Sequence, residues 1–406
     1  MPSTLSWLDT SAEEQRRVRE LVALYSQKES RDELGIGQIR DAFANGLFPG
    51  TSTVHTRARY FLFIPWIFTL GATRRTGRNL TAWTDTQERK LIKALVSEGL
   101  GPGDGVIGRV AGSSLTTLPS SIYWSALRRY GILTHDVSPD RLGILRSPSR
   151  AGSDDELAVR SHLDWHPTLP AAPEGFPATV SGGMAMRTCE AAWLRDRILD
   201  SVPGTLLAHL LIDDTPITDE DVVPWFSPAC LTADGPPATL LHHGHLFSLV
   251  MHGAALLYNL LVAERYEDAG HTTVPEPVER YRGALSSWAE SVQAYDQQIK
   301  GWDHHEMLNL VRTINPQISM QTRAFVDAWI DVVRGGPVHD LAEHAGARTL
   351  VEKRERRQKG GQSRLVNDRL LRTWSGASGT AEMMYRWPQV RRMVTDIREG
   401  IARAGA

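Results

Sequence analysis

Histidines and carboxylates are the residues best suited to chemistry here, and they fall into two groups. The first is His242, His243, His245 and His252; the second is Asp303, His304, His305 and Glu306. Imidazoles beside carboxylates can hold a divalent ion and activate water, the chemistry of a metal-dependent hydrolase. The spacing weakens that reading. Neither group has two histidines four apart, which would set two ligands on adjacent helical turns. His245 and His252 lie about 10.5 Å apart along a helix axis and could reach one ion only from opposite sides. The one His-x3-His pair, His162 and His166, abuts the proline-rich stretch Pro167–Pro177 and lacks a zinc-protease glutamate. Capping and surface hydrogen bonds explain these side chains more simply. No metal and no cofactor are expected, and an enzyme is the less favoured class.

Other catalytic signatures are absent or misplaced. The chain has no Gly-x4-Gly-Lys-Ser/Thr for nucleotide phosphates and no His-x-Lys pair of the phospholipase-D type. Gly103-Asp104-Gly105-Val106-Ile107-Gly108 spells the dinucleotide fingerprint, but it follows a helical pattern rather than a strand and reads as a loop. Gly376-Ala377-Ser378-Gly379 is one residue short of a nucleophile elbow and also reads as a loop.

Anion binding has better material. From Leu350 onward thirteen basic residues face six acidic ones, although the whole chain carries a net charge of -2. The expected nucleic-acid contacts are Arg354, Arg356, Arg357, Lys359, Arg364 and Arg386. Gly360-Gly361 lets the chain bend among them, and Tyr385-Arg386-Trp387 sets an arginine between two aromatics able to stack on a base. Local pairing with Glu352, Glu355 and Asp368 is the competing account. A second anion site is drawn by Thr51, Ser52 and Thr53 as caps of a helix entering Val54, with Arg57 and Arg59 nearby. Its competitor is a structural node in which those arginines pair with carboxylates. The stretch from Ala151 to Trp225 is acidic, as expected of a surface that stays solvated or meets a protein partner.

The elements positioning these residues are mainly helical. Ser11-Ala12-Glu13-Glu14 and Thr84-Asp85-Thr86-Gln87 resemble capping boxes ahead of apolar helical faces. Val278, Tyr281, Leu285, Trp288, Val292, Tyr295 and Ile299 form a stripe spaced alternately by three and four, suited to an internal seam or a homo-oligomer interface. Val390, Met393, Val394, Ile397 and Ile401 mark a last helix. The apolar run from Leu246 to Ala263 is interrupted by Ser248, His252, Tyr258 and Asn259, so it predicts a buried core helix and no membrane span. The stretch from Ser121 to Leu145 has the order helix, strand, turn, strand of a winged helix. The expectation is a mainly α, multi-domain helical protein with a small α+β, winged-helix-like subdomain. Its three regions are 1–150, with that subdomain at 84–146, a central helical domain at 151–340, and a basic helical region at 341–406.

With 406 residues, 41% hydrophobic and 23% charged, the chain is neither fibrous nor wholly disordered. Cys189 and Cys230 are too few for a disulfide framework or an all-cysteine zinc site. The start shows no basic region followed by an apolar core, so a cytoplasmic location is expected.

The segments Phe48-Pro49-Gly50-Thr51-Ser52-Thr53, Thr56-Arg57-Ala58-Arg59-Tyr60-Phe61-Leu62-Phe63 and Pro65-Trp66 resemble the N-terminal signature of a bacterial family of unknown function. The likeness continues through Met251-His252-Gly253 to Asn259, then Lys359-Gly360-Gly361-Gln362-Ser363-Arg364 and Tyr385-Arg386-Trp387, nearly the whole chain. The resemblance implies no catalytic residues. It implies genes for a helicase or a phospholipase-D-like nuclease nearby, in mobile or phage-defence loci. Charge and resemblance together point to a non-catalytic accessory protein that binds DNA or RNA. A protein–protein adaptor for a helicase or nuclease, and a metal-dependent hydrolase, are the alternatives.

Overall fold

A computed structural model describes residues 32–73, 80–139, 142, 164–336 and 338–403. The helix expected after Ser11, the loose stretch at 147–153 and His162 lie outside the described residues. Among the described residues there are fifteen α-helices and no β-strand. In chain order they are α1 (Gly37–Leu47), α2 (Tyr60–Thr73), α3 (Leu80–Ser97), α4 (Pro119–Arg129) and α5 (Thr188–Ser201). Then come α6 (Leu206–Ile212), α7 (Pro228–Leu231), α8 (Gly235–Asp268), α9 (Pro277–Ala294) and α10 (Asp296–Gly301). The last are α11 (His304–Ile314), α12 (Met320–Gly335), α13 (Ala345–Lys359), α14 (Asp368–Arg372) and α15 (Trp387–Ala402).

The chain is mainly α, and the winged-helix-like part is not supported. After α4, Leu133 makes a single antiparallel bridge to Trp165; the expected return strand lies, apart from Leu142, outside the described residues. The amide of Leu142 instead bonds to the Ser138 carbonyl, closing a helical turn where the turn before a return strand was expected. A second local signal also misled. Thr84 lies inside α3, its hydroxyl turned back onto the Thr81 carbonyl at 2.9 Å, so the helix starts at Leu80.

The helices assemble into two compact units that interleave along the chain. One comprises the described residues up to Phe43 with His242–Met383; the other comprises Ala44–Leu241 with the described residues from Met384.

The first unit is built on α8. This helix is long and apolar enough to cross a membrane, but 89% of its most apolar window is buried, which makes it a core helix. Two tryptophans from neighbouring helices donate to its backbone. Trp288 Nε1 of α9 bonds to the Leu249 carbonyl and Trp329 Nε1 of α12 to the Val250 carbonyl, each at 2.8 Å. The apolar stripe is an internal seam: Tyr281, Leu285, Trp288 and Val292 are buried in α9. It is broken at Tyr295, where α9 ends, and Ile299 belongs to α10.

The second unit is built on α2, whose Tyr60, Phe61, Leu62, Phe63, Ile64 and Ile67 are inaccessible to solvent. α3 and α4 pack on α2. From α4, the Tyr123 hydroxyl accepts the amides of Thr56 and Arg57 at 2.8 and 3.1 Å. α15 lies along α5 at close range, because a Cβ at Gly400 would meet the Ala191 Cβ at 2.6 Å.

Candidate functional site

The C-terminal basic residues divide by which way their helix faces turn. Arg354 points inward from α13 and is only 6% exposed. Its Nε donates to the Leu34 carbonyl at 2.7 Å, and its Nη2 donates to the Gly35 carbonyl and Thr322 Oγ1, each at 3.0 Å. Arg364 is buried against Glu33, whose other oxygen takes Lys359 at 3.1 Å. Glu355, wholly buried, accepts the Arg364 amide at 2.9 Å and the Ser363 hydroxyl. Burial raises the Glu355 pKa, and these hydrogen bonds oppose that rise. The Lys359–Arg364 motif thus ties the chain leaving α13 back onto the helix.

Arg386 belongs to the other unit. Its backbone is left-handed, and its Nη1 donates to Asn45 Oδ1 at 2.9 Å and the Thr51 carbonyl at 2.7 Å. Tyr385 and Trp387 are buried, and Trp387 Nε1 donates to the Asp221 carbonyl at 2.6 Å. The two aromatics flanking Arg386 therefore offer no open face for a base.

What remains outward is narrower than the expected set. Lys353, Arg356 and Arg357 are exposed on α13 at spacings of three and four, which puts them on one face. Arg356 pairs with Glu352 at 2.6 Å, whereas Lys353 and Arg357 have no carboxylate partner among the described residues. The same holds for Arg369 and Arg372, exposed on α14. Asn367 fixes the start of α14, accepting the Leu370 amide and donating to the Gly361 carbonyl near the end of α13. Arg369 and Arg372 stand outside the contacts expected from sequence, whereas the helical spacing of Lys353 with Arg357 signals the shared face of α13. Cations near the end of α13 also suit the negative pole of the helix dipole.

The Thr51–Arg59 segment is differently built from the expected anion site. No helix enters at Val54; α2 begins six residues later, so the three hydroxyls cap nothing. The Thr51 hydroxyl donates to the Phe48 carbonyl at 2.6 Å, Ser52 Oγ accepts the Val54 amide at 3.4 Å, and Thr53 is exposed. Arg57 binds Asp396 through Nε at 2.9 and 3.0 Å and through Nη2 at 2.7 Å. Arg59, 1% exposed, binds Glu190 through Nε at 3.1 Å and donates through Nη1 to the Gly183 carbonyl at 2.6 Å. Protein acceptors thus engage both guanidinium groups.

The two histidine groups meet in part. Trp302 Nε1 donates to His243 Nδ1 at 2.8 Å, and the Trp302 and His304 ring centroids are 6.3 Å apart. His252 leaves the group, its Nε2 3.0 Å from the Thr380 carbonyl, and His242 is exposed. His304, His305 and Asp327 bring one potential ligand atom each within 4.8 Å of one another. The charge and proton pattern there opposes a cation. Arg334 Nη1 lies 3.0 Å from His304 Nδ1, and a guanidinium can only donate, so Nδ1 accepts. The neutral ring then carries its proton on Nε2, 3.5 Å from Asp327 Oδ1, and keeps no lone pair for a metal. Burial, followed by the charge of Arg334, lowers the His304 pKa. A cavity of about 530 Å³ beside Arg334 is lined by Tyr295, Asp296, Lys300 and His339. Its cations are engaged: Lys300 with Asp296, and Arg334 with the Ile299 and Trp302 carbonyls.

Residues 2–400 match a family model described as Family of unknown function (DUF6361). No curated protein and no solved structure matches the chain.

Proposed function

Since the chain belongs to this family of unknown function, and so inherits no activity from it, we propose that it is a nucleic-acid-binding accessory protein. The proposed contact is to the sugar–phosphate backbone, through the outer face of α13 and through α14. One observation carries the reading: Lys353, Arg357, Arg369 and Arg372 are exposed without a carboxylate partner among the described residues. Lys353 and Arg357 stand about 6 Å apart along the helix axis, close enough to address neighbouring phosphates. The Arg356–Glu352 pair is exposed, and such pairs contribute less than about 1 kcal/mol, so Arg356 is available as well. Arg354 and Arg364 support the surface from within. Service beside a helicase or nuclease in a defence locus is the setting this reading proposes.

The test is binding of the full chain to short single- and double-stranded DNA across a salt series. Each phosphate contact contributes a slope of roughly −0.7 to −0.9 in log K against log salt. Replacing Lys353, Arg357, Arg369 and Arg372 with Ala is expected to flatten that slope by about three units. Absence of binding at low salt, or an unchanged slope in the variant, would overturn the reading.

A further inference from the structure

Four of the large apolar side chains that the described structure leaves in solvent fall within twenty consecutive residues of the second unit. They are Ile212 (68% exposed), Val222 (64%), Phe226 (60%) and Leu231 (62%). Exposed apolar groups gathered in this way mark interaction surfaces more often than isolated ones do.

The segment is held in place. Arg398 of α15 donates to the carbonyls of Leu210, Asp213 and Thr215, which the end of α6 leaves without helical partners. Arg391 donates to the carbonyls of Thr218, Asp219 and Asp221. His209 Nε2 lies 3.2 Å from the Ala229 carbonyl and 2.9 Å from Thr232 Oγ1, joining α6 to α7. Ile212 is one turn beyond His209 on the same side of α6, and Leu231 adjoins Thr232, so the two belong to one surface. Phe226 sits at the other end of the single turn of α7.

The charge around these side chains is mainly negative. No lysine or arginine occurs between Arg197 and Arg265, while Asp214, Asp219, Glu220 and Asp234 are exposed. The basic groups facing the segment from α15, Arg391 and Arg398, direct their guanidinium nitrogens at its backbone, and Arg391 also reaches Asp219 at 3.1 Å. Negative charge around an apolar centre complements positive charge around an apolar stripe. We propose that this surface docks a lysine- or arginine-rich amphipathic helix of a partner protein, with apolar anchors at i, i+3, i+4 and i+7. It shares no residue with the proposed nucleic-acid face, so either proposal can fail without the other.

The probe is an eighteen-residue leucine–lysine peptide with that anchor spacing, labelled for fluorescence anisotropy against the full chain. A scrambled peptide of the same composition and a leucine–glutamate peptide are the controls. The expected result is saturable binding of the first peptide alone. Phe226→Ser with Leu231→Ser should weaken it roughly tenfold. Asp219→Asn with Glu220→Gln should reduce its salt dependence. Circular dichroism of both variants is expected to match the parent, since these side chains are exposed. Equal binding of the scrambled peptide, or undiminished affinity in the Phe226/Leu231 variant, would overturn the proposal. So would concentration-dependent dimers that this variant abolishes, because a second copy would then be the occupant.

Discussion

Trp288 occupies the space that a side chain at Gly253 would fill: a Cβ there would lie 2.2 Å from Cζ2 of the indole. The same ring donates its Nε1 hydrogen to the Leu249 carbonyl, one turn earlier on α8. Gly253→Ala must therefore push the ring out or bend the helix, and is expected to cost about 1–3 kcal/mol by overpacking. Trp288→Ala empties the site and is expected to cost about 3–5 kcal/mol. Urea denaturation of the two variants measures both. A Trp288→Ala loss near zero would contradict its burial.

Arginines that look alike in sequence should separate in stability measurements. Arg364→Ala leaves Glu33 buried with Lys359 alone and is expected to cost about 3–5 kcal/mol, as breaking a buried ion pair does. Arg59→Ala, which leaves the inaccessible carboxylate of Glu190 with Arg187 alone, belongs in the same range. Arg357→Ala should change stability by less than about 0.5 kcal/mol. Thermal or urea unfolding of the three variants side by side decides this.

Glu88 is buried with its Oε2 accepting the Ser120 amide at 2.8 Å, and burial raises its pKa to about 7. An acid whose folded pKa lies above its unfolded value stabilises the fold below the unfolded pKa, and that contribution is lost as pH rises through the folded one. Glu88→Gln keeps the acceptor and removes the titration. Its stability relative to the parent should rise between about pH 4.5 and 7, by roughly 3 kcal/mol in all. Denaturation of both proteins at pH 4.5 and pH 8 gives the comparison.

His55 pulls the other way. Its ring stacks on Tyr123 with centroids 4.2 Å apart, and burial lowers its pKa to about 4. The unfolded chain takes up a proton below about pH 6.5 that the folded chain refuses until about pH 4, so stability falls across that window as pH falls. A His55→Phe variant should lose this component, giving a shallower slope of stability with pH between those limits.

At the histidine cluster, protein purified without chelator is expected to hold no stoichiometric zinc, manganese or iron. Arg334→Leu frees His304 Nδ1 to carry the proton and leaves Nε2 a lone pair, so added zinc should bind this variant more tightly than the parent. Metal analysis and calorimetry read the two outcomes. A full equivalent in the parent, lost on His305→Ala, would reverse the reading.

Sequence pattern foretold the helices whose burial follows their own periodicity. Val390, Met393, Val394 and Ile397 form the buried stripe of α15, and Leu246 onward forms the core of α8. What it could not foretell were matters decided by distant partners. Nothing local distinguishes Arg57, held by Asp396, from an arginine awaiting a phosphate, or Arg354, buried in α13, from Arg357, exposed three residues later. Thr51–Thr53 have the composition of a helix cap but take up a turn, because Thr51 bonds backward to Phe48. Likewise, nothing local foretells that Leu133 finds a bridge partner at Trp165.

The pairing of Arg57 with Asp396 also sets the order in which the protein can mature. The two residues are 339 positions apart, and at bacterial or eukaryotic translation rates the ribosome needs roughly 20–70 s to travel between them. Throughout that interval the α2 segment has been synthesised, while the carboxylate that will hold Arg57 and the Ala58 amide does not yet exist. α5 waits likewise for Gly400, and the loop after α6 waits for Arg391 and Arg398. The second unit is thus closed by α15, so its native assembly waits until that helix has been synthesised, long after α2 and α5.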